Sequence, residues 1–197
     1  MNRSRQPTGR LLASALALGL ITSALPAQAG EAVDQQLQEY RQAAQSFGKT
    51  LKGELQAAMK QGGPMAAVSV CHERAPEIAT QLSEDTGFTL RRTSLKPRAT
   101  APTDWERAVL EDFEARRADG ESPKTIEWHN VASVDGDEQL RYMKAIGTQG
   151  VCLTCHGSNV DPALQAKIDK LYPDDQATGF AEGDIRGAFS ITAPLGG

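Results

Sequence analysis

The run Thr125-Ile126-Glu127-Trp128-His129-Asn130-Val131-Ala132-Ser133-Val134-Asp135-Gly136-Asp137-Glu138-Gln139-Leu140-Arg141-Tyr142-Met143-Lys144-Ala145-Ile146 carries the pattern that decides the fold. Thr125 to Val131 and Gln139 to Ile146 read as strands, and Asp135-Gly136 between them signals a hairpin, here with a loop longer than two residues. Two further strands frame it: Phe88 to Ser94, which alternates, and Arg186 to Thr192.

The chain before this hairpin is helical. From Ala32 to Met59 apolar residues fall at Val33, Leu37, Tyr40, Ala44, Phe47, Leu51, Leu55 and Ala58, a spacing of three and four that predicts one amphipathic helix. Its 28 residues make a rod about 42 Å long, more than a compact domain needs, so part of it is free to meet a partner or a second copy. Gly62-Gly63-Pro64 ends it; a second helix follows from Met65 to about Ser83, interrupted or bent at Pro76. Pro102-Thr103-Asp104 opens a third helix that runs to about Arg117 with Trp105, Val109 and Phe113 on one face, closed by Asp119-Gly120. Asp161-Pro162 caps a short helix that ends at Tyr172. Helices first and antiparallel strands later give an α+β fold, a sheet with packed helices behind a long N-terminal helix.

The first 29 residues are of another kind. Arg3, Arg5 and Arg10 precede an apolar run from Leu11 to Leu25, and Pro26-Ala27-Gln28-Ala29 forms a small-residue cleavage site. These are the parts of a secretory signal. The apolar run has 15 residues, short of the ~20 that cross a bilayer. Cleavage after Ala29 leaves residues 30–197 as one domain. It removes three arginines and no acid, so the formal charge moves from −4 to −7. An acidic exported chain with no later membrane-length apolar run is a poor candidate for binding nucleic acid or spanning a membrane.

Chemistry concentrates in Cys152-Leu153-Thr154-Cys155-His156. Two thiols three apart can add to the two vinyl groups of one haem, and the adjacent His then supplies an imidazole nitrogen to the iron: the c-type attachment motif. Export fits, because covalent haem attachment in bacteria takes place outside the cytoplasm. Three other readings of the same residues are a local disulfide, a redox-active dithiol, and a zinc site completed by Cys71. The dithiol lacks a βαβ context.

A haem iron held by His156 keeps one axial position, for which Cys71, His72, His129, Met59, Met65 and Met143 are candidates. At ~100° per residue, Val68, Ala75, Ile78, Ala79 and Leu82 form an apolar stripe, with Cys71 about 35° and His72 about 65° from its centre. Either can face inward, Cys71 the better, and only one of the two can reach the same iron. Arg91-Arg92-Thr93-Ser94-Leu95-Lys96-Pro97-Arg98 is a basic cluster in an acidic chain. Its arginines, Arg91, Arg92 and Arg98, suit the two haem propionates, although alternation sends Arg91 and Arg92 to opposite faces.

Taken in order, Val70-Cys71 with Ala75-Pro76-Glu77-Ile78-Ala79, the run Leu90 to Arg98, Trp105-Glu106, the Cys152 to His156 motif and Gly183-Asp184-Ile185-Arg186-Gly187-Ala188 resemble a family of PAS-like single-haem c-type proteins. That family was long catalogued as a domain of unknown function, with members that stand alone or form the extracytoplasmic sensor of histidine kinases. The resemblance covers nearly the whole chain after the signal. It implies a PAS-like fold and an iron ligated by His156 on one side and Cys71 on the other. The chain departs at Ala99-Thr100-Ala101, where members often carry Asn-Pro-x-Asn.

The leading expectation is therefore a periplasmic protein with one covalent haem c that senses redox state or a small gas. A single-electron carrier to a respiratory or photosynthetic partner is the alternative. An enzyme such as a peroxidase needs an open distal site, which a bound Cys71 blocks.

Overall fold

The structure, a computed structural model, describes Met1 and residues 25–196. The signal expected at residues 1–29 therefore lies outside the described residues, apart from a helical backbone at 25–29.

One helical run, α1, extends from Leu25 to Thr86 and is broken at Gly62 (φ −145°, ψ 17°) and Gly63 (φ 64°, ψ −161°). The break lies where Gly62-Gly63-Pro64 predicts it. Gly63 takes a left-handed φ open to glycine, and Pro64 starts the next arm, where a missing amide costs nothing. The second arm doubles back on the first, for Arg74 donates to Glu54 at 2.8 and 2.9 Å. Of the two outcomes expected at Pro76, interruption does not occur: the arm stays helical through it. The carbonyl it deprives of a partner belongs to His72, an exposed residue that water can serve. The arm continues to Thr86, and the amide of Gly87 (φ 74°) bonds to the Ser83 carbonyl at 2.9 Å, closing it.

Four strands form one antiparallel sheet in the order β1-β4-β3-β2: β1 Thr89–Thr93, β2 Glu127–Val134, β3 Asp137–Gly147 and β4 Ile185–Pro194. The β2–β3 loop is Asp135-Gly136 alone, because Val134 pairs with Asp137. Positive φ at both residues, 54° and 96°, makes the tight turn whose twist matches the strands. The longer loop expected from the sequence is thus corrected. The last residues before the turn are largely exposed or polar, so apolar alternation fades there while backbone pairing continues.

Both faces of the sheet are covered. Leu37, Tyr40, Ala44, Phe47 and Leu51 of α1, one stripe at helical spacing, pack on Leu90, Leu140, Tyr142 and Ile191, with Ala75 and Ile78 of the second arm beside them. The stripe of the long first helix is therefore buried within the chain from Leu37 to Leu51, while Leu55 and Ala58 beyond it are half-buried. On the other face α2, Asp104–Ala118, sets Val109, Leu110 and Phe113 against Met143, Ala145, Ile185 and Ala188. Glu106 reaches back to the Thr103 amide at 2.8 Å and fixes the start of α2. Phe113 is fully buried at 0% exposure. Phe113→Ala is expected to destabilise the fold by about 3–5 kcal/mol in urea denaturation. No helix among the described residues is long and apolar enough to cross a membrane.

Candidate functional site

Between β3 and β4 the chain forms a 3-10 turn, Gly150–Cys152, the single-turn α3, Leu153–His156, and then α4, Pro162–Leu171. The Cys152 amide bonds to the Gln149 carbonyl at 2.8 Å, and the Gly157 amide to the Leu153 carbonyl at 2.9 Å. A Cβ at Gly157 would stand 2.6 Å from that carbonyl, so the turn closes only on glycine. One turn of helix thereby brings the half-buried Cys152 and Cys155 to one side, with His156 next to them. Asp161 caps α4, which lays Leu164, Ile168 and Tyr172 against Val68 of α1's second arm, with Cys155 beside them. The same arm carries Cys71.

The His156 ring has a defined tautomer. Its Nδ1 lies 2.7 Å from the Ala177 carbonyl, an acceptor only, so Nδ1 holds the proton and Nε2 keeps its lone pair. Burial, with Arg186 and Arg98 nearby, lowers its pKa from 6.5 to about 2. The imidazole is therefore a neutral donor throughout the physiological range, packed edge-on against Phe180 at 6.3 Å.

Cys71 is half-buried on the arm whose Val68 packs with α4 and Cys155, and its thiol feels the charges of Arg92, Arg98, Arg186 and Cys152. Burial pushes its thiol up, while the three guanidiniums pull it down. The neighbouring His72 is exposed, its ring edge-on to Tyr172 at 5.1 Å. The other sequence candidates are not brought together with this cluster. His129 is exposed on edge strand β2, Met143 is buried against α2, Met65 is 42% exposed, and Met59 lies just ahead of the α1 break. All three cysteines are free. Among the described residues no group of three or more His, Cys, Asp or Glu is arranged to hold a metal ion.

The arginines divide sharply. Arg92 faces α1, its guanidinium 5.4 Å from the Phe47 ring. Arg91 turns to the opposite face, paired with Glu106 at 3.4 Å and bonded to the Ala101 carbonyl, and so is kept from the cluster. Strand alternation is the cause, and the Arg91 Nε, like that of Arg186, is buried without a hydrogen-bond partner among the described residues. Arg98 is also taken up, its fork donating to Asp175 at 2.9 and 2.8 Å.

Arg186 is the residue that sequence reasoning missed. A bulge at Ile146/Gly147 breaks the β3–β4 register, so that Ile185 and Ala188, three apart, share the α2 face. This resets the alternation and turns Arg186 to the cluster, its guanidinium 5.2 Å from the Phe180 ring and near enough to His156 to depress it. Gly187 permits the turn: at φ 153° its missing Cβ would stand 2.3 Å from the Thr93 carbonyl. Gly187→Ala is expected to cost about 1–3 kcal/mol and to lower the thermal midpoint, read by circular dichroism. Neither Arg92 nor Arg186 has a carboxylate within ion-pair distance among the described residues, and the Arg186 Nε is buried without any partner.

A four-stranded antiparallel sheet with a doubled-back helix on one face and α2 on the other defines an α+β protein. The chain belongs to the Tll0287-like family, whose model matches residues 26–194. Among solved structures it is similar to the crystal structure of the cyanobacterial heme-protein Tll0287, with a TM-score of 0.63 and 23% identity, over 81% of this chain and 95% of that one. At that identity the likeness is one of fold. No curated protein matches the chain.

Proposed function

We propose that this chain is an exported, periplasmic, PAS-like protein that carries one covalent haem c and senses redox state or a small diatomic gas. The observation that carries the reading is the neutral His156 imidazole, its Nε2 lone pair free, gathered with two motif thiols and a third thiol, Cys71. Cys152 and Cys155 would anchor the porphyrin, and His156 and Cys71 would take the axial positions.

The residues fit a dianionic porphyrin. Among the described residues Arg92 and Arg186 are cations without carboxylate partners, and the orphaned Arg186 Nε is a donor in want of an acceptor. These two, rather than Arg91 or Arg98, would hold the propionates. Bound here, the haem supplies a one-electron couple and an iron position open to small ligands when a protein ligand leaves. Burial holds the Cys71 thiol above its ordinary pKa and Arg92, Arg98 and Arg186 offset part of that rise; iron ligation would supply the rest, and a bound thiolate favours ferric iron. A proton taken up from solvent by the Cys71 sulfur, together with an electron from a redox partner, would loosen its hold on the iron and give a switch.

Absorption spectra of the ferric and ferrous protein, with and without carbon monoxide, test this. The expected result is a ferric low-spin spectrum and a ferrous form that takes up carbon monoxide. A His/Met-like spectrum indifferent to carbon monoxide would contradict it. The electron-carrier reading draws support from Val151, 44% exposed beside Cys152, which leaves that side of the motif open to a partner. Its acidic surface would steer it to a basic donor, so reduction by a basic cytochrome would slow steeply with salt.

A further inference from the structure

We infer that Arg98, locked to Asp175, is the positioning residue of His156: it fixes the carbonyl that orients the imidazole and the turn that carries the second thiol. The inference rests on the haem reading and deepens it.

The Arg98–Asp175 pair is buried, with side chains 7% and 3% exposed. Three connections tie it to the motif. Arg98 Nη2 gives one hydrogen to Asp175 Oδ2 at 2.8 Å and shares the other between the Cys155 carbonyl at 2.9 Å and, as the longer branch, the Ala177 carbonyl at 3.4 Å. Asp175 Oδ1 accepts from the Ala177 amide at 2.9 Å. The Ala177 carbonyl in turn accepts from His156 Nδ1. Ala177 is thus held at its amide by one member of the ion pair and at its carbonyl by the other. The surrounding backbone adds to this: Gln176 donates to the Pro97 carbonyl at 2.9 Å, and Phe180 to the His156 carbonyl at 2.9 Å.

The physical reason for such a clamp lies in the geometry of α3. A single turn of helix makes almost no internal hydrogen bonds, so it cannot hold a ring direction by itself. Partners outside the first ligand shell set a ligating histidine's tautomer, angle and basicity. A guanidinium suits the task because its planar fork can hold a carboxylate with two nitrogens while turning one of them to two carbonyls. A lysine at the same position keeps the charge but cannot span these groups.

The test uses the full chain matured in a cytochrome-competent host, as wild type, Arg98→Ala, Arg98→Lys and Asp175→Asn. Electron paramagnetic resonance of the ferric state and competition by exogenous imidazole are the readouts. In the variants we expect haem to remain covalently attached while the single wild-type low-spin signal spreads over several g values. Exogenous imidazole should compete about 10–100-fold more effectively, the scale on which supporting partners act. Arg98→Lys serves where Arg98→Ala fails to fold. Haem-loaded variants with wild-type spectra and wild-type imidazole competition would overturn the inference. If the wild type carries no haem, the haem reading fails separately, and the ring nitrogen resonances of His156 still decide. Fast solvent exchange of the Nδ1 proton in Arg98→Lys, slow in wild type, supports the clamp, and equal rates refute it.

Discussion

Replacing Cys152 and Cys155 together by serine is expected to yield a chain that carries no covalent haem and whose colour, if any, is lost on acid–acetone extraction. The thiols are the only nucleophiles placed by the 3-10 turn and α3 to form thioether links, and serine hydroxyls do not form them. The fold should survive in large part, since Cys155 only flanks the cluster of Val68, Leu164, Ile168 and Tyr172, while the main cores on the two sheet faces hold neither cysteine. Intact mass and circular dichroism together check both halves. Haem retained through extraction in the double variant would contradict the assignment.

The second large effect is expected at the opposite ligand. Cys71→Ala removes a sulfur and puts nothing in its place, since His72 on the next position points to Tyr172 and solvent. The ferric iron should pass from a low-spin thiolate signal to a high-spin or water-bound one. The ferrous form should take up carbon monoxide at once, and the reduction potential should rise because the donor that favours ferric iron is gone. Arg92 and Arg186 remain, so haem loading should not change. A spectrum identical to wild type would move the ligand to another residue.

Much of the fold was legible because it rests on short-range rules. The stripe Leu37, Tyr40, Ala44, Phe47, Leu51 declares its period, Gly62-Gly63-Pro64 declares the break, and Asp135-Gly136 the hairpin. The strand ends beside that turn were misread because exposed residues there keep pairing after the apolar alternation stops. The return of the second arm along the first brings Glu54 to Arg74, a contact that no local pattern records.

The site was legible where chemistry is contiguous and opaque where it is assembled. Cys152 to His156 stand together in the sequence, and the helical wheel favours Cys71 over His72 without settling the choice, which the family resemblance implies. Alternation separated Arg91 from Arg92 but gave no means of telling which face held the cluster; the buried Glu106 settles that by claiming Arg91. Arg98 meets its partner 77 positions away. Arg186 was hidden by the bulge, and the glycine that follows it, in a strand otherwise rich in apolar residues, was the signal to look for.

The most direct measurement is the intact mass and visible spectrum of the wild-type chain from a host that matures c-type cytochromes, taken after acid–acetone extraction. The haem assignment predicts a coloured protein heavier than its polypeptide by one haem. A colourless protein at the bare polypeptide mass would contradict it.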